Sequence, residues 1–116
     1  MTRTIDIVIV GADAAAIAAT ADAANRGLHV LLVIRPRFVE LAPEFRNSLR
    51  RVRLASRRQV CVASGAEVAC VSGVNGTEAV LVRQIRTGRL TGFNASALLD
   101  FAEMRLPCSR SGTLLE

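Results

Sequence analysis

The chain has 116 residues, 51% of them hydrophobic, and a formal charge of +5; all fifteen basic residues are arginine, against ten acidic ones. That length predicts one globular domain with its own core, the apolar content excludes a disordered chain, and no apolar run reaches the roughly 18–20 residues of a membrane span. Cys61, Cys70 and Cys108 are too widely spaced for a redox pair or a zinc knuckle, and His29 is the one histidine, so no metal site is expected.

The first thirty-odd residues organise the rest. Ile5–Val10 is a short, nearly all-apolar strand that ends at Gly11. Ala12–Arg26 follows with helix formers, mostly Ala, which is the best of them and lets a helix lie close to a sheet. Asp13 is placed to cap that helix, where its charge suits the positive end of the helix dipole. Asn25-Arg26-Gly27 supplies the stop. His29–Ile34 is a second apolar strand. Strand, glycine turn, helix and strand at this spacing form the opening βαβ unit of a dinucleotide-binding domain.

Arg35-Pro36-Arg37 turns the chain. Phe38, Leu41, Phe45, Leu49 and Val52 then recur at helical spacing, which predicts a second helix to about Arg53 with Pro43 as its effective start. Eight arginines lie between Arg35 and Arg58, against Glu40 and Glu44 alone. Such a cluster suits a solvated helix face or an anionic-cofactor surface. Nucleic-acid binding is the less favoured reading, because four Phe and no Tyr or Trp leave little to stack on bases.

Gln59–Ala63 reads as a third strand. Ala66–Ser72, Ala79–Ile85 and Leu90–Asn94 read as a three-stranded antiparallel meander, with Asn75-Gly76 a strong hairpin signal. Ser96–Phe101 reads as a separate strand returning to the parallel sheet, and residues 102–116 as an irregular tail. Cys61 and Cys70 fall inside apolar strand patterns and are expected in the core. The expectation is therefore a single α/β domain over residues 1–116. Residues 1–63 form a βαβαβ core, 66–95 the meander and 96–101 the returning strand.

This order resembles the FAD-binding domain of the two-dinucleotide-binding flavoproteins, a broad group of FAD-dependent oxidoreductases. Thioredoxin-reductase-like nucleotide domains are the second match. The stretch from Ile5 to Ile34 is similar to their opening strand, Gly-x-Gly-x-x-Gly turn, Ala-rich helix and second strand. The stretch from Glu67 to Asp100 is similar to their later hairpin, polar turn and apolar strand. Asp100 matches the first residue of their Asp-Ala-Thr-Gly-Asp ending, whose Thr-Gly is lost here. The resemblance implies a Rossmann-like FAD/NAD(P)-binding fold, with a parallel sheet, flanking helices and a meander. It also implies a dinucleotide held by Gly11, Ala12, Asp13, Ala14, Ala15 and Ala16 at the phosphates, and by Ile34 and Arg35 at the adenosine ribose.

Three departures bear on the ligand. Asp13 stands where the second glycine lets the backbone approach the pyrophosphate, and Ala16 where the third lies. Ile34 stands where the family places a ribose-binding Glu or Asp. Arg35 after it either meets a 2′-phosphate, making NADP the alternative to FAD, or is a surface residue. Third, the substrate region and the segment over the flavin ring have no counterpart, and no catalytic residue is identified. The expected function is thus an FAD-dependent oxidoreductase-like dinucleotide-binding domain, incomplete for catalysis and weak in ligand binding. The alternative is a non-catalytic scaffold that pairs with another subunit or a second copy. Gly11-Ala12-Asp13 interrupts the N-terminal apolar run, so no leader is read there; a cytoplasmic protein without a membrane partner is the default expectation.

Overall fold

The computed structural model describes residues 3–74 and 77–101. Strand β1 (Arg3–Val10) leads through the Gly11–Asp13 turn into helix α1 (Ala14–Asn25) and strand β2 (Val30–Ile34). A single 3-10 turn (Phe38–Glu40) precedes helix α2 (Pro43–Ala55), and strands β3 (Val60–Ser64), β4 (Ala66–Val74), β5 (Thr77–Gln84) and β6 (Leu90–Asp100) complete the domain. One six-stranded sheet has the order β3-β2-β1-β6-β5-β4. The ladders β3–β2, β2–β1 and β1–β6 are parallel, and β6–β5 and β5–β4 are antiparallel. The mixed α/β class follows the sequence reading.

Local chemistry sets the element boundaries. Asp13 is the N-cap of α1, its Oδ1 accepting the Ala16 N–H at 2.9 Å. At the other end Gly27 N–H donates to Ala24 O and Leu28 N–H to Ala23 O. Gly27 takes φ +83°, so the helix closes in the paired pattern that a left-handed glycine permits. Pro43 opens α2, where a missing N–H costs nothing. Phe38 and Leu41 share the spacing of α2 without belonging to it, since the helix proper starts only at Pro43.

Two apolar layers hold the sheet. On one face Ile9, Leu32 and Ile34 pack against Ala16, Ala23, Leu41 and Leu49, the residues that α1, α2 and their connection turn inward. On the other, Val8, Val10, Leu31 and Val33 meet Val68, Val71, Val80, Val82 and Phe93. The meander therefore curls over the face that the helices leave bare. All five residues of β2 are buried, as a central parallel strand requires.

Three expectations change. The segments read as two strands, Leu90–Asn94 and Ser96–Phe101, are one continuous strand, β6. Its first half pairs with β5 as far as Ala95, while Phe93 to Asp100 pair with β1, so one strand serves both the meander and the parallel sheet. Cys61 is exposed and Cys70 only half-buried, although both fall in apolar patterns. Cys61 is level with Leu31 on the meander side, but β3 is the edge strand and its start lies beyond the meander's cover. The hairpin residues Asn75 and Gly76, Cys108 and the 102–116 tail lie outside the described residues; the strands flanking the hairpin pair antiparallel from Val74 and Thr77 onward.

Candidate functional site: the β1–α1 turn

The sheet changes direction at β1. From β1 the chain steps outward through β2 and β3, and β6 lies on the other side, so the carboxyl ends of β1 and β6 flank the switch point where open α/β sheets bind ligands. Gly11 sits there. It is buried, donates its N–H to Val33 O at 3.1 Å and takes φ +152°, a conformation that a side chain disfavours. Ala12, Asp13, Ala14 and Ala15 are exposed on the turn and the first residues of α1. Ala16 is fully buried against the sheet. A methyl group thus suffices at the third glycine position, and close helix–sheet approach is kept. Asp100, level with Val10 across the β1–β6 ladder, brings a second carboxyl-bearing residue to this end of the sheet.

The residues expected at the phosphates are thus brought together, but the N–H groups they offer are partly taken. The first turn of a helix presents backbone donors and a partial positive charge to an anion. Here the anion comes from the chain itself: the Asp13 carboxylate sits over the end of α1 and takes the Ala16 donor. The residues expected at the ribose part company. Ile34 is fully buried in the helix-side core, so its side chain turns away from the ligand face. Arg35 emerges next to it, 61% exposed, and its Nη1 lies 3.2 Å from Glu67 Oε1.

Glu67 is a feature that the sequence reading did not single out. It is 19% exposed and holds two arginines at once; its Oε2 accepts from Arg83 Nη2 at 2.7 Å and from Arg83 Nε at 3.0 Å. The arrangement ties the end of β2 to the meander. Gly65, between β3 and β4 at φ +61°, reinforces it by donating to Pro36 O and accepting from Ile85 N–H.

A cleft of about 430 Å³ opens beside the turn, between Ala12, Asp13 and Ile17 on one side and Ala42, Phe45 and Ser48 on the other. It is mainly apolar. Among the described residues no three His, Cys, Asp or Glu side chains converge as metal ligands, and no helix is long and apolar enough to cross a membrane.

No family model and no curated protein matches the chain. Solved structures do. L-proline dehydrogenase from P. horikoshii aligns over 85% of this chain and 22% of its own, at 14% identity and a TM-score of 0.65. p-Nitrophenol 4-monooxygenase PnpA from Pseudomonas putida aligns over 85% and 41%, at 8% identity and 0.71. The flavin-dependent monooxygenase PieE, solved with FAD and substrate, aligns over 82% and 29%, at 12% identity and 0.60. The fold is that of flavoprotein FAD-binding domains. The chain spans less than half the length of each of these proteins, and at such identities the likeness concerns architecture alone. An adenine dinucleotide on this architecture needs free donors at the start of α1 and an acceptor at the end of β2. Asp13 takes one of those donors, Ala16 N–H, and Ile34 offers no side-chain acceptor, so the residues present fit that group only in part.

Proposed function

We propose that this chain is a dinucleotide-binding domain of the FAD-dependent oxidoreductase kind whose phosphate turn is guarded by its own carboxylate, so that FAD binds weakly. The observation that carries the reading is the 2.9 Å contact from Asp13 Oδ1 to Ala16 N at the switch point of the sheet. Gly11, the backbone of Ala12 to Ala15 and the close packing of Ala16 retain the shape of a phosphate turn. The Asp13 carboxylate competes for the same donors and repels a pyrophosphate. FAD is preferred to NADP because Arg35, the residue that would meet a 2′-phosphate, is engaged by Glu67. No step of flavin chemistry is assigned to these residues.

The test is a titration of the purified chain with FAD and NADPH, followed by flavin fluorescence and thermal shift, alongside Asp13→Gly. Weak FAD binding that strengthens in the variant supports the reading. No binding to either form at millimolar FAD overturns it.

One observation favours the second reading, a scaffold that pairs with another subunit. Leu99, on the helix side of β6 and level with Ile9, is 41% exposed. Light scattering behind size-exclusion chromatography decides, since a monomer at high concentration removes this reading.

A further inference from the structure

The outer side of α2 carries charge for which the phosphate turn has no use. Arg50, Arg51 and Arg53 on the helix and Arg57 and Arg58 just after it are all exposed. Among the described residues the ion pairs are those of Arg26, Arg35, Arg37 and Arg83, and none involves these five. The acids flanking them in sequence are Glu44, at the opposite end of α2, and Glu67, which Arg35 and Arg83 engage; Glu40 accepts the Arg37 N–H. Among the described residues, five like charges thus share one end of a helix with no ion-pair partner.

The patch is not purely cationic. Leu54 is 72% exposed, follows Arg50 by one helical turn and borders a surface recess of about 400 Å³ with Arg50, Arg53 and Arg57. Arg50 is itself anchored, its guanidinium 5.6 Å from the centre of the Phe38 ring. A large apolar side chain, Leu54, therefore stands in water among guanidinium groups.

We infer that this face docks the protein peripherally on a membrane surface rich in anionic lipids. Guanidinium groups pair with lipid phosphates and carboxylates in forked geometry. Leucine gains from the boundary between headgroups and acyl chains, where amphipathic basic helices settle. A nucleic-acid backbone matches the charge but offers Leu54 nothing apolar. Base stacking is also ill served: Phe38 lies beneath Arg50 and packs on the helix-side core. The sequence reading excluded a spanning segment and expected no membrane partner; this contact is peripheral, and it stands independently of the Asp13 turn.

The test is co-sedimentation of the intact chain with phosphatidylcholine vesicles, with and without phosphatidylserine, at low and high salt, with a short DNA duplex titrated in parallel. Binding should require the anionic lipid and fall with salt. Arg50→Gln with Arg57→Gln should weaken it about twenty-fivefold, taking about fivefold for each arginine near the surface. Leu54→Ser should weaken vesicle binding severalfold and leave duplex binding unchanged. Both variants alter exposed side chains, and circular dichroism verifies their fold. Failure to bind anionic vesicles overturns the inference, as does vesicle binding indifferent to Leu54→Ser. Tighter binding to the duplex than to vesicles assigns the face to nucleic acid instead. A dimer that the arginine variant dissociates assigns it to a second copy.

Discussion

Replacing Asp13 by Asn removes one charge and little else: the side chain keeps its shape and an acceptor oxygen for the Ala16 N–H. Asn and Asp are comparable N-caps, so stability should hold to within about 0.5 kcal/mol. The effect on a dinucleotide should be far larger. A phosphate oxygen sharing the donors at the start of α1 lies roughly 4 Å from the carboxylate, where like charges repel by about 1 kcal/mol in water and about 4 kcal/mol at an effective dielectric of 20. Asp13 is exposed, which places the cost toward the lower end. A gain of about 1–2 kcal/mol, or about five- to thirtyfold in FAD affinity, is therefore expected for Asp13→Asn. Asp13→Gly also removes bulk and should gain at least as much, and Asp13→Ala should lower stability by about 1 kcal/mol through loss of the cap. Fluorescence titration gives the affinities and urea denaturation the stabilities. Equal FAD affinity in the wild type and in both the Asn and Gly variants would refute the claim that this carboxylate guards the turn.

Three further outcomes follow from packing and pairing. Leu49 is fully buried where α2 meets the sheet, so Leu49→Ala should cost about 2–5 kcal/mol, read as a lower urea midpoint at unchanged slope. Gly65→Ala forces a side chain into φ +61° and brings its Cβ to 3.1 Å from Arg37 Cγ. The left-handed conformation alone should cost about 1–2 kcal/mol, and a variant as stable as the parent would contradict the geometry. Glu67→Gln loses its charge toward Arg35 and Arg83, both partly exposed. About 1 kcal/mol should disappear, with the gap to wild type narrowing at high salt; a salt-independent loss would point to packing instead.

Much of the framework could be read from local chemistry. Asp13 as a cap, Gly27 as a stop, Pro43 as a start and the strand on either side of Gly11 each follow from what one or two residues permit. The misreadings have non-local causes. Asn94-Ala95-Ser96 looks like a break between two strands, yet Phe93 to Ala95 are covered by β5 on one side and β1 on the other, and the ladder runs straight through. Glu67 shows a second limit. Counting back from the hairpin places it opposite Gln84, but a one-residue bulge between Val68 and Cys70 shifts the register and sets it opposite Arg83. The same bulge lets Val68 and Val71, three residues apart, face the same core. At the site, the identity of Asp13 was plain from the sequence. That its carboxylate turns back onto α1, and that Arg35 is drawn to Glu67, depend on tertiary geometry.

The double role of β6 reaches beyond the native structure, to the order in which the domain can be built. Strand β1 is made first, yet its partner on one side, Phe93 to Asp100, is made almost last among the described residues, and Phe101 N–H closes the pairing on Val10 O. During synthesis β1, β2 and β3 can gather under the two helices while the opposite face of β1 and β2 stays wet. Only when β6 leaves the ribosome can it join β1 and carry the meander over that face. Such long-range closure is slow compared with helix formation. A pause in translation before residue 90 would hold Val8, Val10, Leu31 and Val33 exposed, and nascent chains stalled there should be the most protease-sensitive and the most dependent on chaperones.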